Sequence, residues 1–205
     1  MKVMGRINRG SILYEGCFAH VFSRSSEKRY IFEGDKDFER FKDLLLESKS
    51  RHGYRIHHYC LMHTHFHLVV GIGEVERFSE GLKWVKWNYT RYFNLREQRF
   101  GPLWRDRFKS LVIENEGYLQ ACGRYVEGNP VEAGMVKRCE DWPYSSSGYY
   151  FGGKEDVLVD AYAFDGEPVL IEEDPKKFFT KGHAIGSDTF KFYCHELSHS
   201  TLTST

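Results

Sequence analysis

The 205-residue chain carries 29 basic and 29 acidic side chains and is 41% apolar, a composition that suits one packed domain and excludes a disordered polyelectrolyte. It has no apolar run of about 18 residues, and its polar start around Arg6, Asn8 and Arg9 lacks the apolar centre of a secretion signal, so a soluble, cytoplasmic protein with no membrane partner is expected. Its cysteines (Cys17, Cys60, Cys122, Cys139 and Cys194) are scattered and form no CxxC pair, which argues against a disulfide framework or a cysteine-rich zinc module and for reduced thiols.

Residues Ser11 to Ser23 mix Leu13, Tyr14, Phe18, Val21 and Phe22 with small residues and read as a strand or hairpin. Asp35 then opens a helix, with Phe38, Phe41, Leu44 and Leu45 at helical spacing and Gly53 as its stop. Tyr54 to Met62 and Thr64 to Ile72 read as two neighbouring strands. In the second, alternation places Phe66, Leu68 and Val70 on one face and His65 and His67 on the other. Two neutral imidazoles two residues apart are a ready pair of metal ligands. Alone, the same pattern is also common on an ordinary polar strand face.

Glu76 to Arg96 gives a helix with an apolar stripe of Phe78, Leu82, Val85, Tyr89 and Tyr92. From Lys83 to Lys109 the chain is strongly basic, with Lys83, Lys86, Arg91, Arg96, Arg99, Arg105, Arg107 and Lys109 set against Glu97 and Asp106. Trp84, Trp87 and Trp104 are among the aromatics that interleave it. Cations for phosphates and flat rings for unstacked bases make the composition of a single-strand nucleic-acid surface, although core rings and solvated charges would look the same.

Gly101-Pro102 closes the connection, Arg107 to Ile113 reads as a short strand, and Asn115 caps a helix that runs to about Gly128. On that helix Tyr118, Cys122, Tyr125 and Asn129 share one side, and Asn129-Pro130 is expected to end or distort it. The order of strand, helix, strand, strand, helix, strand, helix fits an α+β sandwich of the ferredoxin-like kind, a mostly antiparallel sheet with packed helices. We expect residues 1–152 to form this domain and residues 153–205 a partly ordered extension. Residues 151–205 hold five lysines and no arginine against ten acids, a net of −5, so residues 1–150 carry +5. Phe178, Phe179, Ile185, Phe190 and Phe192 are candidates to dock the extension, and the last residues are expected to fray.

In this order, the paired histidines, the basic aromatic helix, Leu103-Trp104-Arg105-Asp106-Arg107-Phe108-Lys109 and the tyrosine helix resemble the REP-associated tyrosine transposases, a branch of the single-tyrosine HUH transposases. The strings His20-Val21, Ile31-Phe32, Arg107-Phe108-Lys109-Ser110, Arg124-Tyr125-Val126, Asn129-Pro130-Val131-Glu132-Ala133-Gly134 and Trp142-Pro143-Tyr144-Ser145-Ser146 carry the likeness across roughly residues 15–150. The family usually reads Met-Pro-Asn before the first histidine, whereas this chain has Met62-His63-Thr64, which adds His63 as a rival ligand ranked below His65 and His67.

The resemblance implies that Tyr125 is the nucleophile and that His65, His67 and Asn129 hold a divalent metal, Mg²⁺ or Mn²⁺. It implies a metal-dependent endonuclease and transesterase that nicks and rejoins single-stranded or hairpin DNA through a 5′-phosphotyrosine, without ATP, as a monomer or homodimer. Arg105, Arg107 and Lys109 are the candidates for the DNA backbone, with Lys83, Lys86 and Arg91 secondary and Trp84, Trp87 and Trp104 as stacking partners. Two alternatives stay open: a domesticated hairpin DNA-binding protein without turnover, and an unrelated metal hydrolase built on His63, His65 and His67.

Overall fold

A computed structural model of the chain describes residues 12–162, 184–187 and 190. Strand β1 (Phe18–Arg24) leads through a short turn into helix α1 (Asp35–His52); β2 (Arg55–Met62) and β3 (His65–Gly71) follow, then α2 (Val75–Arg96), β4 (Lys109–Ile113) and α3 (Glu116–Glu132). A one-turn helix, α4 (Ser147–Tyr150), a two-residue strand, β5 (Ala184–Ile185), and short 3-10 turns at Ser26–Lys28 and Cys139–Asp141 complete the described elements. The sheet order is β2-β3-β1-β4-β5, antiparallel except where β5 runs parallel to β4. The first four strands with their two crossover helices are the ferredoxin-like arrangement expected from the element order.

Local chemistry sets the helix ends. Asp37 accepts hydrogen bonds from the Glu33 and Gly34 amides at 3.0 and 3.4 Å and from the Tyr92 hydroxyl at 2.9 Å, and also pairs with Arg96, so the start of α1 is tied to α2. Burial works against its charge, but these partners outweigh it and hold the carboxyl below its ordinary range. Gly53 ends α1 at φ 69°, a left-handed conformation that glycine adopts without a Cβ penalty.

The sheet separates two apolar layers. On one face Val21, Phe66, Leu68 and Val70 pack against Phe38, Phe41 and Leu45 of α1 and Phe78, Leu82, Val85 and Tyr89 of α2. On the other, Cys60, Met62, Val69, Leu111 and Ile113 pack against Leu119, Cys122 and Val126 of α3. Alternation therefore puts the odd-numbered histidines of β3 under α3, across the sheet from α1 and α2.

Three details differ from expectation. The first strand is confined to Phe18–Arg24, because Gly16 at φ 82° turns the chain and bonds to Ile72 O at 2.7 Å just before it. The fourth starts at Lys109, two residues late. Helix α3 does not stop near Gly128 but continues through Pro130 to Glu132. Pro130 has no N–H to give to Val126 O; the Asn129 side-chain amide supplies one instead, donating to Val126 O at 3.2 Å and Tyr125 O at 2.8 Å. The helix thus replaces its missing donor with a neighbouring side chain.

Beyond Gly153 the chain returns to the domain. Leu158 is buried, Asp160 takes the Lys49 ammonium at 3.0 Å and the Ile56 amide at 2.8 Å, and Asp156 accepts from the Tyr59 hydroxyl at 2.5 Å. Ile185 is buried against the α3 layer and Phe190 packs on the other one. Phe178, Phe179, Phe192 and the terminal residues lie outside the described residues.

Candidate active site

The α3 side of the sheet brings β1 and β3 together beneath Tyr125. His67 Nδ1 is 2.9 Å from His20 Nε2, and the two rings are nearly coplanar, with 5° between their planes. His65 stands edge-on to His67 with centroids 5.1 Å apart, and its Nδ1 meets the Thr64 hydroxyl at 2.9 Å. Tyr125, one turn before Asn129 on α3, is set edge-on to both His67 and His20, at 6.1 and 6.2 Å between centroids. One chain thus supplies the strand histidines and the helix tyrosine to one place.

Burial governs the electrostatics here. It pushes the His65 imidazole down to about 4, helped by Arg24, which lies directly opposite across the β1–β3 ladder. His67 is lowered well below the ordinary imidazole value by burial, then by His20 and His65, and His20 is lowered by burial to about 3. All three rings are therefore neutral at physiological pH, the form that ligates metals. The Tyr125 phenol is pushed up by burial, with smaller contributions from Glu132 and Cys122. A phenolate is disfavoured there unless positive charge arrives.

The donor set fits a small divalent cation. His65 and His67 each have Nδ1 engaged in a hydrogen bond, which points to Nε2 of each as the atom that could ligate, and the Asn129 amide nitrogen is committed to backbone carbonyls, which leaves its oxygen as the donor it could offer. Among the described residues no group of three or more His, Cys, Asp or Glu side chains is placed to hold a metal. His63 is turned away: its Nδ1 meets Phe32 O at 2.7 Å and its ring stacks on Tyr30 and abuts Phe38 and Trp142. The hydrolase alternative built on His63, His65 and His67 therefore lacks His63 as a free third imidazole.

The cations divide into two groups. Lys109 is exposed and opposes Phe22 of β1, whose other cross-strand partner is His67, so it lies in the same row as the site. Arg105 and Arg107 are exposed, and the Arg105 amide bonds to Arg24 O at 3.1 Å, at the end of β1 nearest His65. Sequence reading missed Arg24, although the alternation His20, Phe22, Arg24 on β1 points it to the histidine face. Lys86 is buried, donating to Ser23 Oγ and Asp106 O at 2.8 Å each. Arg91 sits 4.8 Å over the exposed Trp87 on the outer side of α2, in the layer across the sheet from the histidines. Trp84 and Trp104 are half-buried against the core, and Trp104 Nε1 donates to Lys86 O.

Also unmarked in the sequence is a buried network beneath α3. His58 Nδ1 meets Glu127 Oε1 at 2.9 Å, and the same oxygen accepts from Ser146 Oγ at 2.6 Å. His58 lies so close to Gly123 that a Cβ there would fall 2.5 Å from its Cε1. This contact sets how near the tyrosine helix approaches β2.

The REP-associated tyrosine transposase of Escherichia coli (strain K12) is 24% identical over 110 residues, covering 53% of this chain and 64% of that protein, just under two thirds of the relative's length. The solved structure of a REP-associated tyrosine transposase bound to a REP hairpin superimposes with a TM-score of 0.60 at 18% identity, covering 80% of this chain and 96% of that one, which establishes a shared fold. The sequence profile described as transposase, IS200-like, matches residues 14–129, more than half of the chain, and the chain therefore belongs to the IS200-like transposase family.

Proposed function

We propose that this chain is a metal-dependent DNA transesterase that nicks and rejoins single-stranded DNA at or near a hairpin, with Tyr125 as nucleophile. The observation that carries this reading is the edge-on contact of Tyr125 with His67, whose neutral ring leaves Nε2 for a cation. His65, His67 and Asn129 would hold that cation, Mg²⁺ or Mn²⁺, and when bound it supplies Lewis-acid polarisation of the scissile phosphate. Arg24, Arg105, Arg107 and Lys109 bind the DNA backbone around the site, and α3 holds the phenol for in-line attack. The Tyr125 oxygen bonds to phosphorus as the bond to the 3′ oxygen breaks; the phenolic proton is lost and the leaving oxygen gains one. The products are a 5′-phosphotyrosine and a free 3′-hydroxyl, and attack by a 3′-hydroxyl runs the exchange backwards without ATP. Nucleophile and imidazoles come from one chain, so a monomer suffices for the chemistry.

The raised pKa of the phenol favours a second reading, a hairpin-binding protein without turnover. Incubation with single-stranded hairpin oligonucleotides and Mn²⁺, followed by a denaturing gel, separates the two. The transesterase gives a covalent adduct that disappears in Tyr125→Phe while hairpin affinity stays within about twofold. Hairpin binding with no adduct from the wild-type protein establishes the binding module instead, and nicking that survives Tyr125→Phe rules out both.

A further inference from the structure

We propose that His20 is a positioning residue: its Nε2 accepts the Nδ1 proton of His67 and so fixes the tautomer in which His67 offers Nε2 to a divalent cation. The proposal rests on the reading of His67 as a metal ligand.

The geometry allows one proton between these two nitrogens, 2.9 Å apart in nearly coplanar rings. Placed on His20 Nε2, it would consume the His67 Nδ1 lone pair. His67 would then carry its own proton on Nε2, aimed at the site, and could not ligate. Placed on His67 Nδ1, it leaves the Nε2 lone pair open, and His20 must carry its proton on Nδ1. A charged His20 would donate from both nitrogens and accept at neither. Its burial, with 1% of the residue exposed, opposes that state.

Packing holds the arrangement. His20 on β1 and His67 on β3 are diagonal neighbours across the ladder, since His20 opposes Val69 and Phe22 opposes His67. The Phe22 ring stacks against both, with centroids at 5.2 and 5.8 Å and planes at 24° and 26°. Where metal sites place a carboxylate behind the ligating imidazole, it raises the basicity of the ring but adds negative charge. A neutral imidazole orients His67 without that charge, which suits a site that must admit an anionic phosphate.

The test is Mn²⁺ affinity by titration calorimetry on the full chain after chelator treatment, with histidine-¹⁵N spectra of the wild-type protein as a second arm. His20→Leu keeps the volume and removes the acceptor; it should weaken Mn²⁺ binding about 10- to 100-fold and leave hairpin binding in chelator unchanged. His20→Gln, which can accept from the same place, should restore affinity to within about threefold. The wild-type spectra should show both rings protonated at Nδ1. Equal Mn²⁺ affinity in the wild type and His20→Leu, or a His67 ring protonated at Nε2, overturns the proposal while leaving the ligand reading in place. A wild-type protein that takes up no Mn²⁺ overturns both.

Discussion

The Tyr125 ring meets His67 edge-on, with planes at 89° and centroids 6.1 Å apart. The contact spans two layers, because the tyrosine belongs to a helix and the histidine to the strand beneath it. It therefore depends on how closely α3 is held to the sheet, and the Gly123 and Glu127 contacts with His58 set that distance.

Gly123→Ala is expected to destabilise the fold by about 2 kcal/mol, because the added methyl meets a ring that cannot withdraw. His58 is fixed by Glu127 on one side and by stacking on Tyr150, with centroids 4.6 Å apart, on the other. Glu127→Ala, which takes from the His58 imidazole and the Ser146 hydroxyl the oxygen they share, should cost about 2 kcal/mol. Urea unfolding of both variants measures this, and a Gly123→Ala protein as stable as the wild type would show that α3 moves freely.

Asn129 serves the helix and, in the proposed function, also the metal; a double-mutant cycle separates the two roles. Asn129→Ala should cost about 1 kcal/mol because Val126 O loses the amide that stands in for the Pro130 N–H. In a Pro130→Ala background the backbone donor is restored, and the same change should cost well under half as much. Mn²⁺ affinity should fall in both backgrounds, because the amide oxygen is lost in both.

The placement of His65 and His67 on one side was legible because they alternate with Phe66, Leu68 and Val70, and period-two alternation assigns sides even in a strand that, like β3, is covered on both faces. The course of α3 through Pro130 was not, since helix rules treat proline as a stop and the compensation comes from a side-chain amide at the adjacent position. Arg24 and His20 were within reach of the alternation on β1, but their importance comes from cross-strand register with β3, more than 40 residues later. Strand β5 pairs with β4 across some 70 residues through two positions, and a dipeptide carries no periodicity to detect.

Arg24→Gln tests the electrostatics of the face. Removing the cation opposite His65 should raise the His65 pKa from about 4, visible as a shifted imidazole titration. If Arg24 also contacts the DNA backbone, the slope of log affinity against log salt for a hairpin oligonucleotide should fall by about 1. A slope equal to that of the wild type removes Arg24 from the DNA surface.

Acid should unfold the metal-free protein through these imidazoles. Unfolded, each binds a proton below its ordinary value of 6.5; folded, His65 does so only near 4 and His20 near 3. The unfolded chain thus binds more protons across that window, and stability falls as pH drops from 6.5 towards 4. Urea midpoints in chelator between pH 7.5 and 4.5 should show the decline, and His65→Gln should flatten it.

The central claim is a covalent bond between one tyrosine and a 5′ phosphate. Mass spectrometry of the protease-digested product, after reaction with a single-stranded hairpin oligonucleotide and Mn²⁺, reads that bond directly. The expected result is an oligonucleotide–peptide conjugate at Tyr125 together with a released strand ending in a 3′-hydroxyl. Cleaved DNA with unmodified Tyr125, or a conjugate at any other residue, would contradict it.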